Sequence, residues 1–160
     1  YNACFREVWG FVEISWEEFR ERADAFRVFY RPELAVLAEQ AGEAVGFALI
    51  LPDVNTVLAR LGGRLLPLGW LRARREIPSI RTGRFILIGV RPDREGRALA
   101  PAMTLALRKA LLEAGFGTVE ISLVQAANRK MMRVVEGWGC RPTKVFRLYG
   151  KEMRAPGRLP

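Results

Sequence analysis

Between Thr82 and Gly117 three signals follow one another, and each needs the others. Phe85-Ile86-Leu87-Ile88-Gly89-Val90 is an unbroken apolar run of the kind a strand buried on both faces requires. Arg91-Pro92-Asp93-Arg94-Glu95-Gly96-Arg97 is a polar turn whose Pro and Gly suit neither helix nor strand. Met103, Leu107, Ala110/Leu111 and Ala114 then recur at helical spacing, with Pro101 in the first turn and Gly115 placed to cap the end. Strand, tight loop and helix together aim a helix N-terminus, with its free amides, at an anion.

The rest of the chain arranges itself around that unit. Ser15-Trp16-Glu17-Glu18 reads as a capping box, with Ile14 and Phe19 available as a hydrophobic staple, so an amphipathic helix is expected over 16–28 with Phe19, Ala23 and Phe26 on its apolar face. Leu34 to Ala38 and Ala44 to Leu51 are two apolar runs around Gln40-Ala41-Gly42-Glu43, which makes them a β-hairpin. Asp53 is placed to cap a short helix that ends at Gly62-Gly63. Residues 62 to 81 are the least regular stretch: Leu65-Leu66-Pro67-Leu68-Gly69-Trp70-Leu71 is apolar but interrupted, and Arg72, Arg74 and Arg75 follow, so either an exposed patch that receives a substrate or partner or a long connection packed over the core fits; the leucines are expected to pack, with Trp70 left open.

Beyond the central unit, Val119, Ile121 and Leu123 alternate with Glu120 and Ser122 as in a strand. Asn128 opens a helix whose Met131, Val134/Val135 and Trp138 point inward and which ends at Gly139, and Val145 to Tyr149 reads as a last strand. The order is helix, hairpin, helix, strand, helix, strand, helix, strand, with no repeat and no low-complexity linker, so one domain over 1–160 is expected. That order predicts an α/β fold.

Composition narrows the chemistry. The chain has no histidine and two cysteines, Cys4 and Cys140, which leaves little room for a disulfide framework, a zinc site or His-dependent catalysis. No stretch has the length and apolarity of a membrane span and nothing at the start resembles a signal peptide, so the expected setting is cytoplasmic, without a membrane partner. The first residue is Tyr1, which suits a piece of a longer chain. Acidic residues crowd into the first 60 positions, and the net charge of +9 belongs to the remainder, where it favours an anionic ligand: a phosphorylated cofactor or nucleic acid. An arginine-rich solvated surface explains the same charge.

From Glu33 to Lys151 the chain resembles the GNAT acyl-CoA N-acyltransferases, most closely at Val90-Arg91-Pro92-Asp93-Arg94-Glu95-Gly96-Arg97-Ala98-Leu99-Ala100. In that family the loop runs Gln/Arg-x-x-Gly-x-Gly/Ala and holds the pyrophosphate of acetyl-CoA on backbone amides. The corresponding positions here are Glu95, Ala98 and Ala100, of which only Ala100 fits outright. The resemblance implies a mixed, largely antiparallel central sheet with helices on both faces. It also implies acetyl-CoA, or another acyl-CoA, as co-substrate, held by Ile88, Val90, Glu95, Gly96, Arg97, Ala98, Leu99 and Ala100, with Asn128 on the pantetheine arm. Seven residues after that Asn the family often has a Tyr as general acid; here the residue is Val135. Trp9-Gly10-Phe11 and Gly63 to Trp70 resemble a bacterial branch in which the domain forms the C-terminal part of a longer protein.

Arg91, Arg94 and Arg97 lie in the same loop and can add charge-assisted bonds to phosphate. Gly89 inside the apolar run fits either a β-bulge, which in the family splays two parallel strands, or close packing against a helix. Glu120, Ser122 and Tyr149 are candidates for proton transfer, although a solvated face, backbone pairing and ring packing explain them as well. Cys140 has no His to activate it. The implied activity is direct transfer of an acyl group, acetyl in the simplest case, to the amine of a small molecule or peptide. The alternative is a degenerate domain that binds nucleic acid or the rest of a longer chain; a homodimer fits either.

Overall fold

The computed structural model describes residues 1–94 and 98–151. They fall into two compact units, Tyr1–Ser122 and Leu123–Pro160, where the sequence suggests one domain.

The first unit is built on a four-stranded sheet in the order β1 (Ala35–Gln40), β2 (Glu43–Pro52), β3 (Thr82–Val90) and β4 (Thr118–Ile121). The first two pairings are antiparallel and the last is parallel. The expected hairpin is β1–β2. Its two-residue turn puts Ala41 at φ 52° and Gly42 at φ 80°, the left-handed backbone that matches strand twist.

Helix α5 (Leu99–Glu113) covers one face of the sheet. Its Met103, Leu107 and Leu111 are buried at the spacing of one helical face, and Gly115 at φ 74° ends it. The opposite face carries α1 (Asn2–Phe5), a short helix that its sequence does not announce. The Asn2 side chain fastens it by donating to the Ile14 carbonyl at 2.8 Å and accepting from the Ile14 amide at 3.3 Å. Phe5 meets Phe47 of β2 edge-on at 6.1 Å between ring centroids.

Strand β3 departs from its expectation in two ways. Gly83, Phe85 and Gly89 are buried while Ile86, Leu87 and Ile88 are half-buried, so the strand is not buried along its whole length. The irregularity lies at Ile86: Leu49 opposes Leu87 and Ile50 opposes Phe85, leaving Ile86 as the extra residue. Gly89 is the close approach, because a Cβ there would stand 2.8 Å from Cys4 Cβ and 3.0 Å from a ring carbon of Phe47. Gly46, on the other face, would meet Met103 in the same way.

Ser15 and Glu18 form the capping box of α2 (Trp16–Phe26): the Glu18 amide donates to Ser15 Oγ at 3.1 Å and the Ser15 amide to Glu18 Oε2 at 2.8 Å. None of the helix's residues is fully buried, so its apolar face is only partly covered. Asp53 accepts from the Asn55 amide at 3.2 Å, one residue ahead of Val54, which caps α3 (Asn55–Arg60). The expected long connection over 62–81 contains a helix, α4 (Gly69–Glu76), and its leucines do not pack over the core as expected: Leu65, Leu66, Leu68 and Leu71 are exposed. Pro67 precedes it and Gly69 opens it, positions where neither residue interrupts a helical hydrogen bond.

In the second unit, α6 (Arg129–Gly137) buries Val135 and half-buries Met131, Val134 and Trp138, as their spacing implies. The strand expected over Val145–Tyr149 is absent: residues 140–151 form neither helix nor strand, and Val145, Phe146, Leu148 and Tyr149 are exposed. β-propensity there meets no partner strand, and a strand without one leaves its backbone unpaired.

Candidate active site

The site begins where the two parallel strands part. Pairing of β3 with β4 runs from Thr82↔Thr118 to Phe85↔Ile121, and the Ser122 amide closes it on the Phe85 carbonyl at 3.3 Å. β3 continues to Val90 against β2 alone, and no strand among the described residues pairs with its other edge over that length. The Arg91 amide donates to the Val45 carbonyl at 2.8 Å, so Arg91 and Gly89 direct their backbone groups toward β2. By alternation Ile88 and Val90 direct theirs away from β2, to the open side. Both are positions at which the family resemblance places the acyl-CoA.

The bulge at Ile86 accompanies the parting, since a bulge bends its strand and increases the local twist. At the end of β3, Pro92–Arg94 make a short 3₁₀ turn toward α5. Glu95, Gly96 and Arg97 lie outside the described residues. Ala98 caps α5 at φ −99°, ψ −28°, ordinary helical space, so its methyl imposes no left-handed strain. Among the described residues no side chain caps this helix and its first turn holds no acid, so the amides of Leu99 and Ala100 are the ones an anion would meet; Pro101 offers none. The dipole favours a negative charge there by about 0.3–2 kcal/mol.

Arg91 and Arg94 already have carboxylate neighbours. Arg91 binds Asp93 through Nη2 at 2.7 Å and Glu43 through Nη1 at 3.3 Å, and Arg94 lies 3.5 Å from Asp93 and 3.8 Å from Glu43. The hydrogen bond from Arg91 holds the Asp93 carboxyl below its usual range, and the same bond raises the Arg91 pKa. This clamp ties the start of β2 to the turn after β3. Glu43 stands 48 positions from Arg91, so no local pattern could have announced it.

On the α1 side an open cavity of about 400 Å³ is lined mainly by apolar groups, among them Tyr1, Cys4, Phe19, Leu37 and Phe47, with Arg91 at its border. Burial pushes the Cys4 thiol up, which makes it a poor nucleophile. Of the proton-transfer candidates, Glu120 is engaged with Arg84 at 3.4 Å, Ser122 is half-buried, and the Tyr149 ring stands 87% exposed, not packed as one reading had it. Val135, at the family's acid position, is in the buried face of α6.

The same architecture occurs in the aminoglycoside N-acetyltransferase AAC(6')-Iy, solved with a bisubstrate analogue made from CoA and acetylneamine. The two superpose with a TM-score of 0.59 at 16% identity, over 94% of this chain and 88% of that one. This chain has the GNAT fold. No protein-family model matches it. By sequence this chain is 32% identical over 158 residues to a protein named bacterial ceramide synthase from Caulobacter vibrioides. It is 29% identical over 159 residues to Protein YghO of Escherichia coli. The matches take in 95% and 96% of this chain, which spans about two fifths (41%) of the length of either relative.

Asn128 belongs to the second unit and caps α6: its Oδ1 accepts from the Met131 amide at 3.0 Å. Two variants separate the cap from a ligand contact. Asn128→Ala should cost about 0.5–2 kcal/mol of stability. Asn128→Ser keeps a capping oxygen and removes the amide donor without adding charge, so it should retain the melting temperature, and a loss of acyl-CoA affinity in it would mark a ligand contact. Unchanged affinity in the Ser variant would assign Asn128 to the cap alone.

Proposed function

We propose that the domain is an acyl-CoA-dependent N-acyltransferase that moves the acyl group directly from the thioester to an amine. The observation that carries this is the open edge of β3 beside the uncapped N-terminus of α5. Ile88 and Val90 present amide and carbonyl groups to an extended, amide-bearing chain such as pantetheine, which can lie along the edge as a further strand would. The amides of Leu99 and Ala100 receive the pyrophosphate. Arg91 and Arg94 pair with Asp93 and Glu43 and so hold the turn, while their guanidinium groups keep donors that can reach a phosphate beside the helix terminus.

Catalysis in this reading is chiefly positioning: the thioester carbonyl is held, and the amine brought to it neutral. Cys4 and Cys140 take no part, so no acyl-enzyme forms. Acetyl is the simplest acyl group. The apolar cavity by Phe19 and Phe47, together with the likeness to a protein named ceramide synthase, favours an acceptor amine or an acyl chain with substantial hydrocarbon. A binding module without activity is the competing reading, favoured by Val135 in place of an acid.

Calorimetric titration with CoA, acetyl-CoA and a long-chain acyl-CoA tests the proposal. Binding of the CoA series, followed by free thiol release when an amine is added, is expected. Binding without thiol release with any amine supports the binding module, and no binding at low salt removes the acyltransferase reading.

A further inference from the structure

The segment from Arg64 to Arg75 is apolar and basic at once, and it is exposed. Leu66 is 82% and Leu68 63% exposed, and Leu65, Trp70 and Leu71 are also on the surface. Water-facing leucines in this number are unusual outside an interaction site. Around them stand Arg64, Arg72, Arg74 and Arg75, none of which has a carboxylate within ion-pair distance among the described residues. Arg64 and Arg72 share the rim of an open groove of about 350 Å³ with Leu66, Pro67 and Leu68. Arg60, also on that groove, is already committed to Glu76 at 3.2 Å.

We infer that this face, α4 with the loop before it, docks the protein on an anionic phospholipid surface. Leu66 and Leu68 enter the headgroup boundary, Trp70 sits at the level where its ring is half in hydrocarbon and half in water, and the four free arginines meet lipid phosphates. Charge and apolarity together select this occupant. A second copy would bring the same arginines against these, and a nucleic acid could meet the arginines and stack on Trp70 but would leave Leu65, Leu66 and Leu68 uncovered. The element is eight residues long and lies on the surface, so it does not span: no helix among the described residues is long and apolar enough to cross a membrane. The inference stands apart from acyl transfer, which concerns β3 and α5.

Flotation of the full chain with vesicles of phosphatidylcholine alone, and of phosphatidylcholine with phosphatidylglycerol, tests it. Binding to the anionic vesicles should be stronger by on the order of tenfold or more and should weaken with salt. Trp fluorescence should shift to the blue on those vesicles, and the shift should vanish in Trp70→Phe. The Leu66→Glu/Leu68→Glu variant should keep its melting temperature and its CoA affinity and lose vesicle binding. Equal binding to both vesicle types, or undiminished binding by the double variant, overturns the inference. So does displacement of the protein from anionic vesicles by a single-stranded oligonucleotide that binds the double variant equally well. Concentration-dependent dimerisation abolished by the double variant, with no vesicle binding, overturns it in favour of a self-interface.

Discussion

Leu107→Ala should lower the stability of the domain by about 2–5 kcal/mol, the cost of removing a fully enclosed leucine and leaving a cavity behind. Leu107 has no exposed surface and lies between Met103 and Leu111 on the buried face of α5. The sheet beneath it is held in register by its own ladder and cannot collapse freely into the gap. Since small domains are stable by only about 5–15 kcal/mol, the variant gives up a large part of its margin. Urea denaturation followed by circular dichroism measures it, with Leu66→Ala as the companion. That leucine is exposed, and its loss should change stability by no more than about 0.5 kcal/mol. Equal midpoints for the two variants would mean that α5 does not supply the core described above.

Ile88→Pro should leave the fold standing and cut CoA affinity about tenfold or more. Proline lacks the N–H, which in a ladder is tolerable only where that group faces away from the paired neighbour. Ile88 meets that condition: its backbone groups point away from β2, on the side that β4 has already left. A ligand on this edge loses one hydrogen bond, about 0.5–1.5 kcal/mol, and meets the ring where the donor stood. Tenfold corresponds to about 1.4 kcal/mol. Circular dichroism establishes the fold and calorimetry the affinity. A folded Ile88→Pro protein that binds CoA as the wild type does would show that the cofactor does not lie along β3.

What the sequence makes legible here is mostly local. The Ser15 and Glu18 box, the Ala41-Gly42 turn and the Gly115 and Gly139 terminators depend on residues a few positions apart, and each is found where its pattern lies. The face of α5 follows from spacing alone. Misreadings came where a residue's meaning depends on something distant. Pro67 and Gly69 look like interruptions until the helix is seen to begin at Gly69. Val145 to Tyr149 has the composition of a strand, but composition does not supply a partner. Of the two readings of Gly89, close packing against a helix holds, and the helix is the one that carries Cys4, some 85 positions earlier in the chain; the bulge lies at Ile86 instead, whose side chain gives no hint of it.

For the candidate site the same division holds. Ile88 and Val90 could be picked out as positions, but which way their backbones face depends on the register with β2, and that is set by pairing across the sheet. Arg91 and Arg94 announce positive charge but not the Glu43 carboxylate that stands beside it.

The extra residue in β3 also bears on how such a domain could be altered. A strand one residue shorter, without Ile86, would keep every other side chain on its present face and run straight, and its pairing with β4 would have no reason to stop at Phe85. The sheet would then be better hydrogen-bonded and more regular. What it would lose is the gap, so the opening proposed for the acyl-CoA is a flaw in an otherwise complete sheet, and a change that perfects the architecture is one that shuts the door.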